Sequence, residues 1–175
     1  FYFGGFESTK RDLSGARVIT ITPTNAARLG LTEPAYMPTK ATTKFAIGKI
    51  DHLVSDANRA NLRYIFFDNS ITNNIAGGLN SVQRGTDFVD RQHSTAGQLM
   101  STIGSNMLNE VRVQYATRAQ SRAAGAQAGA GPAVTVTGIA QFGGAIPDAS
   151  NGAGFAFTEN QFQILDNFTQ IRGNH

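Results

Sequence analysis

The chain has 175 residues, enough for one domain. With 15 Lys+Arg against 12 Asp+Glu, its net charge is only +3, and apart from Lys10-Arg11 the basic residues are scattered. A nucleic-acid surface needs clustered cations, so no nucleic-acid partner is expected. No cysteine is present, which excludes disulfides, thiolate metal sites and cysteine nucleophiles. No run approaches the roughly 18 apolar residues of a membrane helix, and no signal peptide is visible.

The pattern that recurs along the chain has period two, the period at which side chains change face on a strand. Phe1 to Glu7 reads as the tail of a strand. Ser8 to Thr43 is a long connection in which Thr24 is expected to cap a short helix through Ala26–Leu29, ended by Gly30. Lys44 to Val54 is a strand with Lys49 and Asp51 opposite Gly48, Ile50 and His52. Phe45 and Ile47 fall on its charged side, so a bulge is expected near Gly48. Ser55-Asp56-Ala57-Asn58 is a tight turn.

Arg59 to Asp68 follows, with Ala60, Leu62, Tyr64 and Phe66 on one face and Asn61 and Arg63 on the other. After the long connection Asn69 to Gln92 come a strand at His93 to Ile103 and a turn at Gly104-Ser105-Asn106. Met107 to Arg118 alternates most clearly. Met107, Val111, Val113 and Tyr115 share one face, and Glu110, Arg112, Gln114 and Arg118 the other. The third long connection, Ala119 to Asn160, holds an Ala/Gly-rich run from Ala123 to Gly131, whose glycines favour a loop. It also holds a β-prone stretch from Ala133 to Ile139. Gln161 to Ile171 is the last strand, and Arg172-Gly173-Asn174 a turn.

Short and long connections alternate strictly, the asymmetry of outer-membrane barrels with short periplasmic turns and long extracellular loops. The fold expected is all-β: an antiparallel transmembrane β-barrel segment of about six strands. In that setting Leu62, Tyr64, Phe66, Val111, Val113 and Tyr115 face lipid. Asp51, Arg63, Glu110, Arg112, Gln114 and Arg118 face the lumen, with an ion pair expected between Asp51 and Arg63. Tyr64, Phe66, Phe67 and Tyr115 are expected near the loop ends of their strands, as an interfacial girdle. Six strands are fewer than the roughly eight of the smallest single-chain barrels. Residues 1–175 are therefore expected to be part of a larger barrel, both termini falling inside a longer chain.

Four ordered segments resemble the barrel of TonB-dependent receptors of the Oar-like type, which often carry a carboxypeptidase-regulatory-like domain. They are Phe1–Glu7, then Gly48–His52 with Asn61–Tyr64 across the turn, then Leu108–Val113, and Leu165–His175; Gly138–Gly143 resembles the family as well. The resemblance implies a plug inside a barrel of roughly 22 strands. It also implies energy from a TonB complex reached through an N-terminal part outside this chain, and uptake of a bulky nutrient. The implied partners are outer-membrane lipid, the rest of the barrel with its plug, TonB and that nutrient.

No chemistry competes with this reading. His52, His93 and His175 are far apart, so no metal site is expected. Asp148–Gly152 with Glu159 matches a calcium loop only in part, Gly152 falling one position early. There is no phosphate-binding loop, no nucleophile elbow and no catalytic constellation. Neither an enzymatic activity nor a cofactor is expected. The alternative is a secreted or surface β-rich binding or adhesion module with a soluble core.

Overall fold

The computed structural model describes residues 1–75, 77–144 and 154–173. Eight strands occur among them: β1 (Tyr2–Asp12), β2 (Lys40–Ser55), β3 (Asn58–Asn74), β4 (Thr86–Ile103), β5 (Met107–Ala124), β6 (Ala133–Val136), β7 (Ala140–Gly143) and β8 (Phe155–Gln170). Six of them form one antiparallel sheet in the order β1-β2-β3-β4-β5-β8, and β6 and β7 form a separate hairpin. Each long strand thus pairs with the next one in the chain, as an up-and-down meander. The turns expected at 55–58 and 104–106 join β2 to β3 and β4 to β5 at one end of the sheet. The second needs a left-handed residue, which Gly104 supplies at φ 64°. All three long connections lie at the other end.

All six expected strands form, and each runs further toward the loop end than the alternation indicated. β3 continues to Asn74 and β5 to Ala124, while β4 begins at Thr86 and β8 at Phe155. No bulge occurs at Gly48. The register there is continuous on both sides, Gly4↔Gly48 and Gly48↔Tyr64. The irregularity lies instead at Leu53/Ser55, next to the turn, with another at Ile71/Asn74. Phe45 and Ile47 do lie on the charged side.

The three long connections fold together into a cap. Helix α1 (Pro23–Leu29) begins two residues earlier than expected. Thr22, not Thr24, is its N-cap, with an extended backbone and a side-chain oxygen 3.3 Å from the Asn25 N–H that donates to it. Pro23 at the first helical position has no N–H to leave unpaired. Gly30 closes the helix in the left-handed conformation, as expected. The Ala/Gly-rich run forms no helix, and β6 takes up the first half of the β-prone stretch.

Ile19, Ile21, Ala26, Leu31 and Met37 from the first connection pack with Val82 from the second and Ala140 from the third. Backbone bonds lace the same three segments: Thr20 N–H to Gly78 O at 2.8 Å, Ser81 N–H to Gln141 O at 2.8 Å, and Gly125 N–H to Gly85 O at 2.9 Å. The Glu33 carboxylate accepts from the Ser81 hydroxyl and, at 2.9 Å, from the Val82 N–H, clasping the first connection to the second. A Cβ at Gly125 would lie 2.9 Å from the Gly85 carbonyl oxygen. Gly125→Ala is therefore expected to part the third connection from the second at a cost of about 1–3 kcal/mol, read as faster proteolysis within residues 125–144 while the strands stay resistant.

The cap holds the buried apolar cluster of the described residues; the sheet has none of its own. Its buried residues, Ala41, Asp68, Thr86, Asp90 and Arg122, all sit in the loop-end halves of the strands. Both faces of the turn-end half are uncovered. Asp148–Gly152, Asn174 and His175 lie outside the described residues.

Candidate functional site

Directly paired residues of an antiparallel sheet share a face, so the register fixes two surfaces. One row runs Tyr2, Ile50, Leu62, Gly97, Val113, Ile164. The next row on that face toward the loops is Gly4, Gly48, Tyr64, Thr95, Tyr115, Phe162, followed by Phe6, Ala46, Phe66, His93, Thr117, Asn160. This face is apolar and open: Ile164 is 64% exposed, Phe162 62% and Leu62 51%.

The apolar character ends abruptly. The row beyond Phe6, Ala46, Phe66 and His93 is Ser8, Lys44, Asp68 and Arg91, with Arg91 Nε 2.7 Å from Asp68 Oδ2. From the turn to this boundary the band covers Asn58–Phe66 on β3 and His93–Ile103 on β4. That is the 9–11 or so residues with which a tilted strand crosses a bilayer. Beyond it this face is largely polar, while the opposite face mixes Asn69, Asp90 and Gln120 with Phe45, Phe67 and Phe157. His93 sits at the boundary, its Nδ1 2.7 Å from the Tyr64 hydroxyl and its ring 5.1 Å from that of Phe66. Tyr115 bonds Asn160 across the strands at 3.0 Å. Aromatic rings with a polar partner suit the edge of a bilayer.

The opposite face carries Asp51, Asn61, Gln98 and Arg112 in one row and Lys49, Arg63, Gln114 and Gln163 in the next. Its side chains form a lateral chain across three strands. Asn61 donates to Gln98 at 2.6 Å, Gln98 donates to Glu110, and Arg112 donates to Glu110 at 2.6 Å. Lys49, Arg63 and Arg112 line a cavity of about 680 Å³ on this face, together with Asn61, Gln98 and Gln114.

Nearer the loops, Arg118 grips Asp90 with two bonds of 2.9 and 2.6 Å, and Gln120 adds a third at 3.1 Å. Asp90 lies beyond the apolar band, and the Arg118 guanidinium holds its carboxyl below the usual carboxylate range. The stabilisation is therefore complete above about pH 4 and is lost as pH falls through the lowered folded value. Asp90→Ala is expected to cost about 1 kcal/mol, kept small because Arg118 is partly solvated, and to flatten the acid limb of thermal stability measured in detergent.

The register places all six residues of the expected lumenal set, Asp51, Arg63, Glu110, Arg112, Gln114 and Arg118, on this polar face. It places Leu62, Tyr64, Phe66, Val111, Val113 and Tyr115 together on the apolar one. The expected Asp51–Arg63 pair does not form. Asp51 stands opposite Asn61 and Arg63 opposite Lys49, and Asp51 pairs along its own strand with Lys49 at 2.9 Å. The aromatic expectation also needs correction. Tyr64 and Tyr115 lie near mid-strand because the strands run on past the apolar band, and Phe67 lies on the polar face. Gln98, Asp90, Gln120 and Gln163 escaped the sequence reading. The alternation of Asp90, Gln92, Ser94 and Gln98 along β4 was the signal that could have found the first two.

A family model described as outer membrane beta barrel domain matches residues 31–175. No curated protein and no solved structure matches the chain. With its antiparallel meander, short turns at one end and long loops at the other, the chain belongs to the outer membrane beta barrel domain family and resides in the bacterial outer membrane.

Proposed function

We propose that residues 1–175 form part of the barrel wall of a TonB-dependent, Oar-like receptor that takes up a bulky nutrient. The apolar face meets lipid, and the polar face lines the lumen against a plug. The observation that carries this reading is the two-sided sheet: a bilayer-high apolar band backs onto a network of charged and amide side chains, with no layer covering either. A secreted adhesion module would need one of those faces buried in a soluble core.

The open edges of β1 and β8 support a larger barrel. Backbone groups at membrane depth must all be paired, and the described strands leave two edges unpaired, so further strands have to close the wall. Lys49 and Arg112 are paired with Asp51 and Glu110, so this face, with Arg63, Asn61, Gln98 and Gln114 beside them, favours a strongly polar surface in the lumen, of plug or of cargo. The chain's role is to bind and pass, without catalysis or a cofactor of its own. The TonB part of the proposal rests on the ordered resemblance of Phe1–Glu7, Leu108–Val113 and Leu165–His175 to that receptor type.

The test is co-purification of the full-length gene product with the periplasmic C-terminal domain of TonB. Retention on immobilised TonB domain, enhanced by the nutrient-replete growth medium, is expected. No retention, together with ion conductance of the reconstituted protein, would leave an outer-membrane barrel but remove the TonB-dependent transporter.

A further inference from the structure

The apolar face is not uniform. Across β1, β2 and β3 it carries a groove of about 560 Å³, the size of a site for a drug-sized ligand, about 300–1,000 Å³. Tyr2, Ile50, Leu62 and Tyr64 wall it. Its floor is Gly4 and Gly48, which stand directly opposite each other. Neither glycine is demanded by the backbone. Neither has a left-handed φ, a Cβ at Gly48 would meet nothing within 4 Å, and one at Gly4 would meet only the Ile47 carbonyl oxygen at an ordinary 3.7 Å. Glycine inside a strand weakens it and often marks a close approach by something else. Here the result is a missing ridge of side chain in the middle of a lipid-height band.

The groove ends short of the band's edge. Up the same face of β2, Gly48 is followed by the small Ala46, flanked by Phe6 on β1 and Phe66 on β3, and then by Lys44, where polar residues begin. Ser8 stands opposite Lys44, which puts Lys10 diagonal to it on β1, with Cβ atoms about 7–8 Å apart. Both lysines are exposed. Their neighbouring carboxylates are engaged: Asp68 bonds Arg91 at 2.7 Å, and Asp12 accepts from the Ser14 N–H at 2.9 Å and stands opposite Lys40. Neither Lys10 nor Lys44 is in an ion pair among the described residues.

We propose that this is a binding slot for one phosphate-bearing lipid of the outer leaflet, with an acyl chain laid along Gly48 and Gly4 and the phosphate bridged by Lys44 and Lys10. The inference rests on the reading that the apolar face meets lipid. Its distinctive content is a specific, phosphate-dependent site at one place on that face. The pairing of an apolar trough with two uncommitted cations beyond it on the same face, past the small Ala46, fits an amphipathic anion. It does not fit a protein helix, which would need a longer trough, nor free phosphate, which has no use for the groove.

The test is native mass spectrometry of the full-length protein, delipidated in mild detergent. Three probes are titrated: a bis-phosphorylated, multi-acylated glucosamine disaccharide lipid, its dephosphorylated counterpart, and inorganic phosphate. The expected result is a one-to-one adduct with the first probe, about 10-fold tighter than with the second, and none with the third. Gly48→Phe fills the trough and is expected to abolish the adduct. Lys10→Gln with Lys44→Gln leaves the trough intact and is expected to bring the phosphorylated lipid down to the affinity of the dephosphorylated one. Equal binding of the first probe to wild type and both variants overturns the slot. So does binding of inorganic phosphate that Gly48→Phe leaves unchanged. Spin labels at Val111 and Val113, on the same face but outside the slot, separate the two readings: labels in contact with lipid alongside equal binding by wild type and both variants would sink the slot alone, and labels in water would sink the lipid-facing reading beneath it.

Discussion

Val113→Lys is expected to cost about 2–4 kcal/mol of stability in the bilayer, as a charged side chain does at the lipid face near mid-membrane. Val113 lies in the middle of the apolar band, in the row Leu62–Gly97–Val113–Ile164, several residues from either end of the span. A lysine there cannot carry its ammonium group to water without distorting the strand or thinning the bilayer around it. The next residue provides the control. Gln114 is on the opposite face, in the open polar cavity with Arg63, Gln98 and Gln163, where a charge stays hydrated. Gln114→Lys is expected to cost less than about 1 kcal/mol. The two variants differ by one position in the chain and by the whole thickness of the wall. Outer-membrane abundance and the urea midpoint of the protein folded into vesicles measure the contrast. Equal effects of the two substitutions would mean that the faces do not meet different environments.

The second large effect belongs to the external cap. Met37 is fully buried, at 0% exposure, and joins the apolar cluster that holds the three long connections together. Met37→Ala is expected to cost the cap about 2–4 kcal/mol through lost burial and the cavity left behind. Met37→Leu, which nearly conserves volume, is expected to stay under about 1.5 kcal/mol. Hydrogen exchange resolves where the loss falls. The N–H groups of Thr20, Gly78, Ser81 and Gln141, which bridge the connections, are expected to exchange about 30- to 1,000-fold faster in Met37→Ala, while those in the centre of β4 and β5 keep their protection. A uniform rise across cap and strands would show that cap and wall unfold as one unit.

Sequence alternation locates a strand only where its two faces meet different surroundings. That condition holds between the turns and the row Phe6, Ala46, Phe66, His93, and there Met107–Tyr115 and Ala60–Phe66 could be read correctly from the chain alone. Beyond that row the strands continue through Ser8–Asp12, Asn69–Asn74 and Ala119–Ala124, above the apolar band. Polar residues then stand on both faces, the period fades, and these stretches read as loop. The pairing of Asp51 failed for a different reason. Sequence tells which strands meet but not the register, and the observed register sets Arg63 opposite Lys49 and Asp51 opposite Asn61, one row nearer the turn. The cap was least legible. Ile19, Met37, Val82 and Ala140 are isolated apolar residues in three separate loops, and no periodicity links them until the wall brings the loops side by side. Of the candidate site, the division into two faces was legible. Its lateral bonds, such as Asn61 to Gln98 and Arg118 to Asp90, depend on that register and were not.

The most direct measurement is a nitroxide scan along β5 in the full-length protein reconstituted in vesicles, one cysteine at a time; residues 1–175 contain none of their own. Oxygen, which partitions into lipid, is expected to relax labels at Val111, Val113 and Tyr115 strongly, and labels at Glu110, Arg112 and Gln114 weakly. The alternation is expected to vanish at Ala119 and Ser121, where a water-soluble nickel complex reaches the labels. Labels at 111, 113 and 115 that respond to nickel rather than oxygen would contradict the account at its centre, because the apolar face would then lie in water.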